Sequence, residues 1–208
     1  MLRIGIITGS TRPNRVNLDV SKWVYEQASK RSDAEFELVD IMDYNLPLLD
    51  ESIPPAMGQY SQPHTKKWAA KIGSLDAFIF VHPEYNHGIS GALKNALDFL
   101  YKEWNNKVAG MVSYGSAGGA RAAEQMRLVL AELQIATVRS QVMFSLKTDF
   151  EDYKNFKPAS SHEKELTKLI DQVINWGTAF TSLHEEDREE RAMRIKPEKS
   201  GQDEVRVQ

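Results

Sequence analysis

The residues that could do chemistry gather in three short stretches. The first is "ITGSTRPNRVN", residues 7–17, in which a turn of small residues carries Arg12 and Arg15 and closes on Asn17, where a helical pattern begins. A turn that only reverses the chain needs Gly, Asn or Ser; clustered positive charge suits an anion. A strand–turn–helix of this make-up offers unpaired backbone N–H groups and the positive end of a helix. Ser10 and Asn17 add neutral donors, and the two guanidinium groups add forks that match phosphate oxygens. Neither the Gly-Lys-Ser/Thr ending of a Walker loop nor Gly-x-Gly-x-x-Gly is present, so a single phosphate is favoured over a dinucleotide pyrophosphate. The competing reading is an exposed turn whose arginines pair with nearby carboxylates.

The second stretch is "HPEYNHGISGALKNALDFL", residues 82–100. Pro83 restrains the backbone, Gly88 permits unusual dihedrals, and Tyr85 offers a flat apolar face with a polar tip. This suits a planar ring held edge-on by backbone amides, with Asn86 equally a turn former or a contact. In the third, "SYGSAGGARAAEQMRLVL" (113–130), Gly115, Gly118 and Gly119 stand among Ser113, Tyr114 and Ser116. Glycines there let something flat come close to the backbone.

Each stretch begins where an apolar run ends. Residues 2–8, 36–40, 77–81, 108–113 and 138–145 read as five strands, three of them nearly unbroken apolar runs of the kind covered on both faces. Helical periods fall between them. Ile89, Ala92, Leu93, Ala96, Leu97 and Leu100 mark one; Val20, Trp23, Val24 and Ala28 mark another, from about residue 17 to 30. Ala122, Met126, Val129, Leu130 and Leu133 mark a third. The last follows a Ser160-x-x-Glu163 capping box, with Leu166, Leu169, Ile170, Val173, Ile174 and Phe180 inward. This alternation predicts an open α/β sandwich: a five-stranded parallel sheet with helices on both faces. In order 2-1-3-4-5 the turns after strands one, three and four meet at the carboxyl edge, where such sheets bind ligands. One holds a phosphate and two flank a ring; together they point to FMN.

Composition narrows the alternatives. A chain of 208 residues with net charge −3 suggests one domain and gives no electrostatic case for nucleic acid or an anionic membrane. No apolar run approaches the ~20 residues of a membrane span, and a cytoplasmic location is expected. The absence of cysteine removes disulfides, thiolate metal sites and thiol redox chemistry, so a redox role would need a cofactor. The five histidines contain no i,i+4 pair, so no metal site is expected. Residues 1–183 read as the domain and 184–208 as a charged tail, with a helical stretch near 185–193; the proline-rich stretch 46–64 reads as a functional or loosely ordered loop.

The three stretches resemble the flavodoxin-like NADPH-dependent FMN reductases, which include quinone, azo-dye and chromate reductases. "GSTRPNRVN" is similar to that family's phosphate loop, "DIMDYNLPLLDE" to its segment after strand two, "PEYNHGISGALKNALDFL" to its most specific signature and "SYGSAGG" to its third loop. The resemblance covers roughly residues 2–180 and implies an FMN enzyme that takes hydride from NADPH or NADH and passes electrons to a quinone, azo, flavin or metal-oxyanion acceptor, in ping-pong fashion. It implies that Ser10, Arg12 and Asn17, with the amides near Arg15 and Val16, hold the FMN phosphate. Pro83, Glu84, Tyr85 and Asn86 would border the ring, and Tyr114, Gly115 and Ser116 would approach its other side. No side chain need act as acid or base. A homodimer or homotetramer is implied, with loop 46–64 as a pocket wall across the interface. Arg12, Arg15 and Arg121 are the cations that could meet a 2′-phosphate. Two other classes stay open: a flavodoxin-type electron carrier and a non-redox nucleotide-binding module. A hydrolase is disfavoured by the missing Gly-x-Ser-x-Gly elbow.

Overall fold

The computed structural model describes residues 1–183; the charged segment 184–208, with its expected helix, lies outside the described residues. Five strands, β1 (Leu2–Thr8), β2 (Ala34–Asp40), β3 (Ala77–Pro83), β4 (Lys107–Gly115) and β5 (Ile135–Ser145), form one parallel sheet in the order β2-β1-β3-β4-β5. This is the expected flavodoxin-like order.

Strand alternation divides the core in two. Ile4, Ile6, Ile79 and Val112 face α1 (Asn17–Ala28) and α5 (Ser161–Ala179), meeting Val20, Val24, Leu169 and Val173. Ile7, Phe78, Phe80 and Met111 face the other way, toward α2 (Pro63–Gly73), α3 (Gly91–Asp98) and α4 (Ala120–Glu132). Nearly every residue of β3 and β4 is buried because both faces are covered, which is why those strands read as unbroken apolar runs.

Three elements differ from expectation. Helix α2 has only Thr65, Trp68 and Ile72 inward, among lysines, and so gives a thin periodic signal. It forms because Trp68 is wholly buried against α3, with its indole N–H donating to the Ala96 carbonyl at 2.8 Å. Burying such a side chain contributes about 1.5–3 kcal/mol. A small antiparallel hairpin, β6 (Phe150–Glu151) and β7 (Asn155–Phe156), follows β5. The capping box is not made: Ser160 has helical dihedrals and its side chain makes no cap hydrogen bond. Asp149 instead fastens this corner, accepting from His162 at 2.9 Å and from the Ala159 N–H at 3.4 Å.

The proline-rich stretch is ordered by side-chain clasps. Glu51 accepts from the Ser61 N–H and hydroxyl and from the Gln62 N–H at 2.7–3.0 Å. Burial opposes its ionisation, but these donors outweigh it and pull its pKa down to about 2. Asn95 of α3 donates to the Pro47 carbonyl at 2.6 Å and accepts from the Leu49 N–H at 3.0 Å. The stretch is thereby pinned to α3 while Leu48, Ile53 and Met57 stay exposed.

Candidate functional site

The three turns meet at the carboxyl edge of the sheet. The Val81 carbonyl, at the end of β3, receives both the Gly9 N–H (2.8 Å) and the Asn17 side-chain amide (3.1 Å), so one acceptor ties down both ends of the first turn. Gly9 has no room for a side chain: a Cβ would stand 2.9 Å from that same carbonyl oxygen. Ser90 joins the turn to α3, donating to the Gly9 carbonyl at 2.7 Å while accepting from the Leu93 N–H at 3.1 Å. Ser10 is buried, with its hydroxyl 3.3 Å from that of Tyr85. That contact brings the first and second turns together.

Helix α1 then starts at Val16, which has no side chain able to cap it and makes no cap hydrogen bond. Its leading N–H groups face the turn, as an anion site requires. Asn17 is wholly buried and its side-chain oxygen has no hydrogen-bond partner among the described residues.

The two arginines behave differently. Arg15 folds inward, donating to the Ser10 carbonyl and pairing with Asp40 at the end of β2; both side chains are at most 13% exposed. What Arg15 presents to a ligand is therefore its backbone. Burial raises the Asp40 pKa, and the Met42 N–H and Arg15 only partly offset it. Arg12 is exposed and has no ion pair among the described residues.

The second turn is a tight hairpin. Tyr85 and Gly88 exchange backbone hydrogen bonds at 2.9 and 3.1 Å, with Asn86 (φ 49°) and His87 (φ 73°) both left-handed. This is the geometry of a two-residue primed turn, and Asn86 fills its turn-forming role. Tyr85 remains 37% exposed. Glu84 does not point to solvent. Its carboxylate pairs with Arg121 and accepts from the N–H groups of Arg121 (3.1 Å) and Ala122 (3.3 Å), the first turn of α4. Burial opposes its ionisation, but Arg121 and the two amides outweigh it, so the pKa is lowered. Its own N–H donates to the Tyr114 carbonyl at 3.0 Å, joining the second turn to the third.

In the third turn, Gly118 and Gly119 are left-handed, and a Cβ on Gly119 would lie 2.8 Å from the Tyr114 nitrogen. Tyr114 turns its ring into the core on the α1 side, 5.8 Å from Phe150. Burial and Tyr85 raise its pKa, against the pull of Asn17, Arg12 and Arg15. Gly115 is covered, and Ser116 is exposed. Beneath the turns His82 is fully buried, and that burial pushes its pKa down to about 4, so it is neutral at pH 7.

The first turn stands between two clefts. One, about 360 Å³, runs from Thr11 along Ile41, Met42, Leu46 and Ala92. The other, about 640 Å³, lies between Arg12–Val16 and the hairpin tip at Tyr153 and Lys154. Sequence reasoning missed Asp40, the Glu84–Arg121 clasp and the hairpin. Each pairs residues 25 or more positions apart, or sits in an element too short for a period.

Uncapped amides, a buried serine hydroxyl and an exposed guanidinium fit a phosphate monoester; an exposed tyrosine and a close-packed glycine turn fit a flat ring. The fold and site define a flavodoxin-like nucleotide-binding protein. The pattern describing NADPH-dependent FMN reductases matches residues 2–149. An NAD(P)H-dependent FMN reductase of a Nectria species, ntnL, is 41% identical, covering 83% of this chain and 96% of its own. A probable NADPH:quinone oxidoreductase of rice is 32% identical over 69% of this chain and 71% of its own. Among solved structures, the flavoenzyme NAD(P)H:(acceptor) oxidoreductase FerB of Paracoccus denitrificans superposes with a TM-score of 0.68 at 19% identity, over 86% of this chain and 99% of its own, a likeness of fold. The chain belongs to the NADPH-dependent FMN reductase family. It is accordingly an FMN-dependent oxidoreductase with a nicotinamide nucleotide as donor.

Proposed function

We propose that this reductase holds the FMN phosphate with Ser10, the Arg12 guanidinium and the amides of Arg15, Val16 and Asn17, and that its acceptors are small quinone-like molecules. The observation that carries the reading is the uncapped start of α1 beside an exposed Arg12 that has no ion pair among the described residues. Pro83, Glu84, Tyr85 and Asn86 would border the ring through their backbone and the Tyr85 face, with Gly115 and Ser116 opposite. Bound FMN supplies the hydride acceptor and donor, and the protein's part is to position its ring and leave one face open. No acid or base is required of the side chains, in keeping with a His82 that is buried and neutral.

The quinone reading rests on the rice relative's name and on the half-exposed Tyr85 at the rim. Exposed Leu48, Ile53 and Met57 favour self-association through the proline-rich stretch. A cytoplasmic site, where reduced nicotinamide nucleotides are at hand, completes the reading. The test is an anaerobic visible spectrum of the FMN-supplemented protein, before and after NADPH or NADH and then a benzoquinone. Flavin bands that bleach with the donor and return with the quinone are expected. Bands that neither donor bleaches would overturn the reading in favour of an electron carrier.

A further inference from the structure

Beneath the three turns lies a layer of buried polar side chains that the proposed flavin contacts do not include. His82 and Ser113 stand opposite one another in the register of β3 and β4, on the face that carries Phe80 and Met111. Both are wholly buried, and Ser90, at the start of α3, is 3% exposed. Each donates to a backbone carbonyl of a different turn. Ser90 Oγ donates to Gly9 of the first turn at 2.7 Å, His82 Nδ1 to Pro83 of the second at 3.1 Å, and Ser113 Oγ to Gly118 of the third at 2.7 Å. Their partners fix the direction of these bonds. The Ser90 hydroxyl also accepts from the Leu93 N–H at 3.1 Å, and the Ser113 hydroxyl from the Gln141 amide at 3.0 Å, which leaves each its single proton for the carbonyl. A carbonyl can only accept, so the His82 proton sits on Nδ1. His82 Nε2 has no partner among the described residues. An unpaired buried acceptor is costly and leucine would fill the space without one, so the use of histidine here lies in its Nδ1–H.

A carbonyl drawn inward turns the other end of its peptide outward, because C=O and N–H point opposite ways across a trans peptide. The N–H groups of Ser10 and Gly119 share peptides with the Gly9 and Gly118 carbonyls, and neither makes a hydrogen bond among the described residues. In the second turn the matching N–H, that of Glu84, donates to the Tyr114 carbonyl at 3.0 Å, so this peptide is held at both polar atoms. We propose that Ser90, His82 and Ser113 are positioning residues, which hold the turn carbonyls under the site and thereby leave amide donors facing FMN. The proposal rests on the flavin reading above. Donors fixed in advance favour the reduced ring, which carries more negative charge than the oxidised one, and so favour the uptake of hydride.

His82→Leu and His82→Asn separate positioning from packing. Leucine fills the space and has no donor; asparagine is smaller, but its side-chain nitrogen stands as many bonds from Cβ as Nδ1 does. Ser113→Ala removes one donor with little change of shape. The readouts are amide exchange of residues 83–89 in the flavin-free full chain, the Kd of FMN by fluorescence titration, the midpoint potential of the bound flavin, and global unfolding. In His82→Leu the Glu84 amide should exchange about tenfold faster, and FMN should bind about five- to tenfold more weakly. Reduced flavin should lose about tenfold more affinity than oxidised flavin, which for two electrons is a potential about 30 mV more negative. Ser113→Ala should weaken FMN and lower the potential to a similar degree. His82→Asn should move both back toward wild type while being no more stable than His82→Leu. Wild-type affinity and potential in both His82→Leu and Ser113→Ala would overturn the proposal. Losses that follow global stability, with asparagine no better than leucine, would overturn it as well and assign these residues to packing. A wild-type chain that takes up no flavin would refute the flavin reading instead; faster Glu84 exchange in His82→Leu, restored by asparagine, would still sustain the inward hold on the second turn.

Discussion

Two helices, α1 and α4, start at the same edge of the sheet and end up in opposite electrical states. At α4, Gly119 turns the chain and Glu84, from the neighbouring strand's loop, receives the first amides with Arg121 alongside. At α1 the residue in the cap position is Val16, and no side chain of the turn accepts from the helix. Both helices carry about half a positive charge at that end. In α4 the Glu84 carboxylate meets it; in α1 no side chain among the described residues does. The same division runs through the arginines of the first turn. Arg15 has a carboxylate of its own, and Arg12 has none among the described residues. Under the proposed reading, the first turn differs from a merely basic one in that charge is withheld from internal pairing at Arg12 while Arg15 beside it is satisfied.

The comparison breaks most severely at Arg15. Arg15→Leu would leave Asp40, about 13% exposed at its side chain, as a carboxylate without its cation. Breaking such a partly buried pair costs about 3 kcal/mol, read in denaturant unfolding without flavin. The Asp40 pKa already stands above the usual carboxylate value, chiefly through burial. In the variant it rises further, so stability should be highest in acid and fall as pH climbs through the folded pKa. A variant as stable as wild type at neutral pH would mean that Asp40 does not depend on Arg15.

Arg12→Ala should behave in the opposite way. Its guanidinium makes no ion pair among the described residues, so unfolding without flavin should be unchanged within about 0.5 kcal/mol. FMN affinity should drop by about 2 kcal/mol, the size of a charge-assisted phosphate contact, measured by fluorescence titration. If the two variants exchanged signatures, with Arg15 governing FMN and Arg12 governing stability, the contrast between the arginines would be reversed.

The sheet order, the extent of β1 and the convergence of three turns were legible in the sequence because they follow from patterns within a few residues: unbroken apolar runs, a helical period, glycines at strand ends. The fate of each arginine was not, because Asp40 lies 25 residues from Arg15 and no local pattern announces the pair. Glu84 reads as a rim residue in "PEYN", and only the fold shows its side chain reaching back to α4, 37 residues on. Tyr114 packs its ring on the α1 side of the core while its hydroxyl feels Asn17, Tyr85 and the first-turn arginines, an environment that only the fold brings together. Helix α2 was hidden for a related reason: only Thr65, Trp68 and Ile72 face inward, among lysines, and three positions make a thin period.

The finest test is made at α4. Glu84→Gln keeps the shape and one acceptor oxygen but removes the charge that serves two amides and Arg121. The loss should be about 1 kcal/mol at pH 7, since Arg121 is itself nearly half exposed and screened by solvent. The sign of its pH dependence follows from the lowered pKa. Glu84 adds stability above its ordinary value of 4.5, and that stability disappears as pH falls through the folded-state value. Unfolding free energies of wild type and variant should therefore differ at neutral pH and converge in acid below the glutamate range. A difference that persisted in acid would trace the effect to packing of the glutamine rather than to charge. The two helix starts would then differ in geometry alone, and not in how their charge is met.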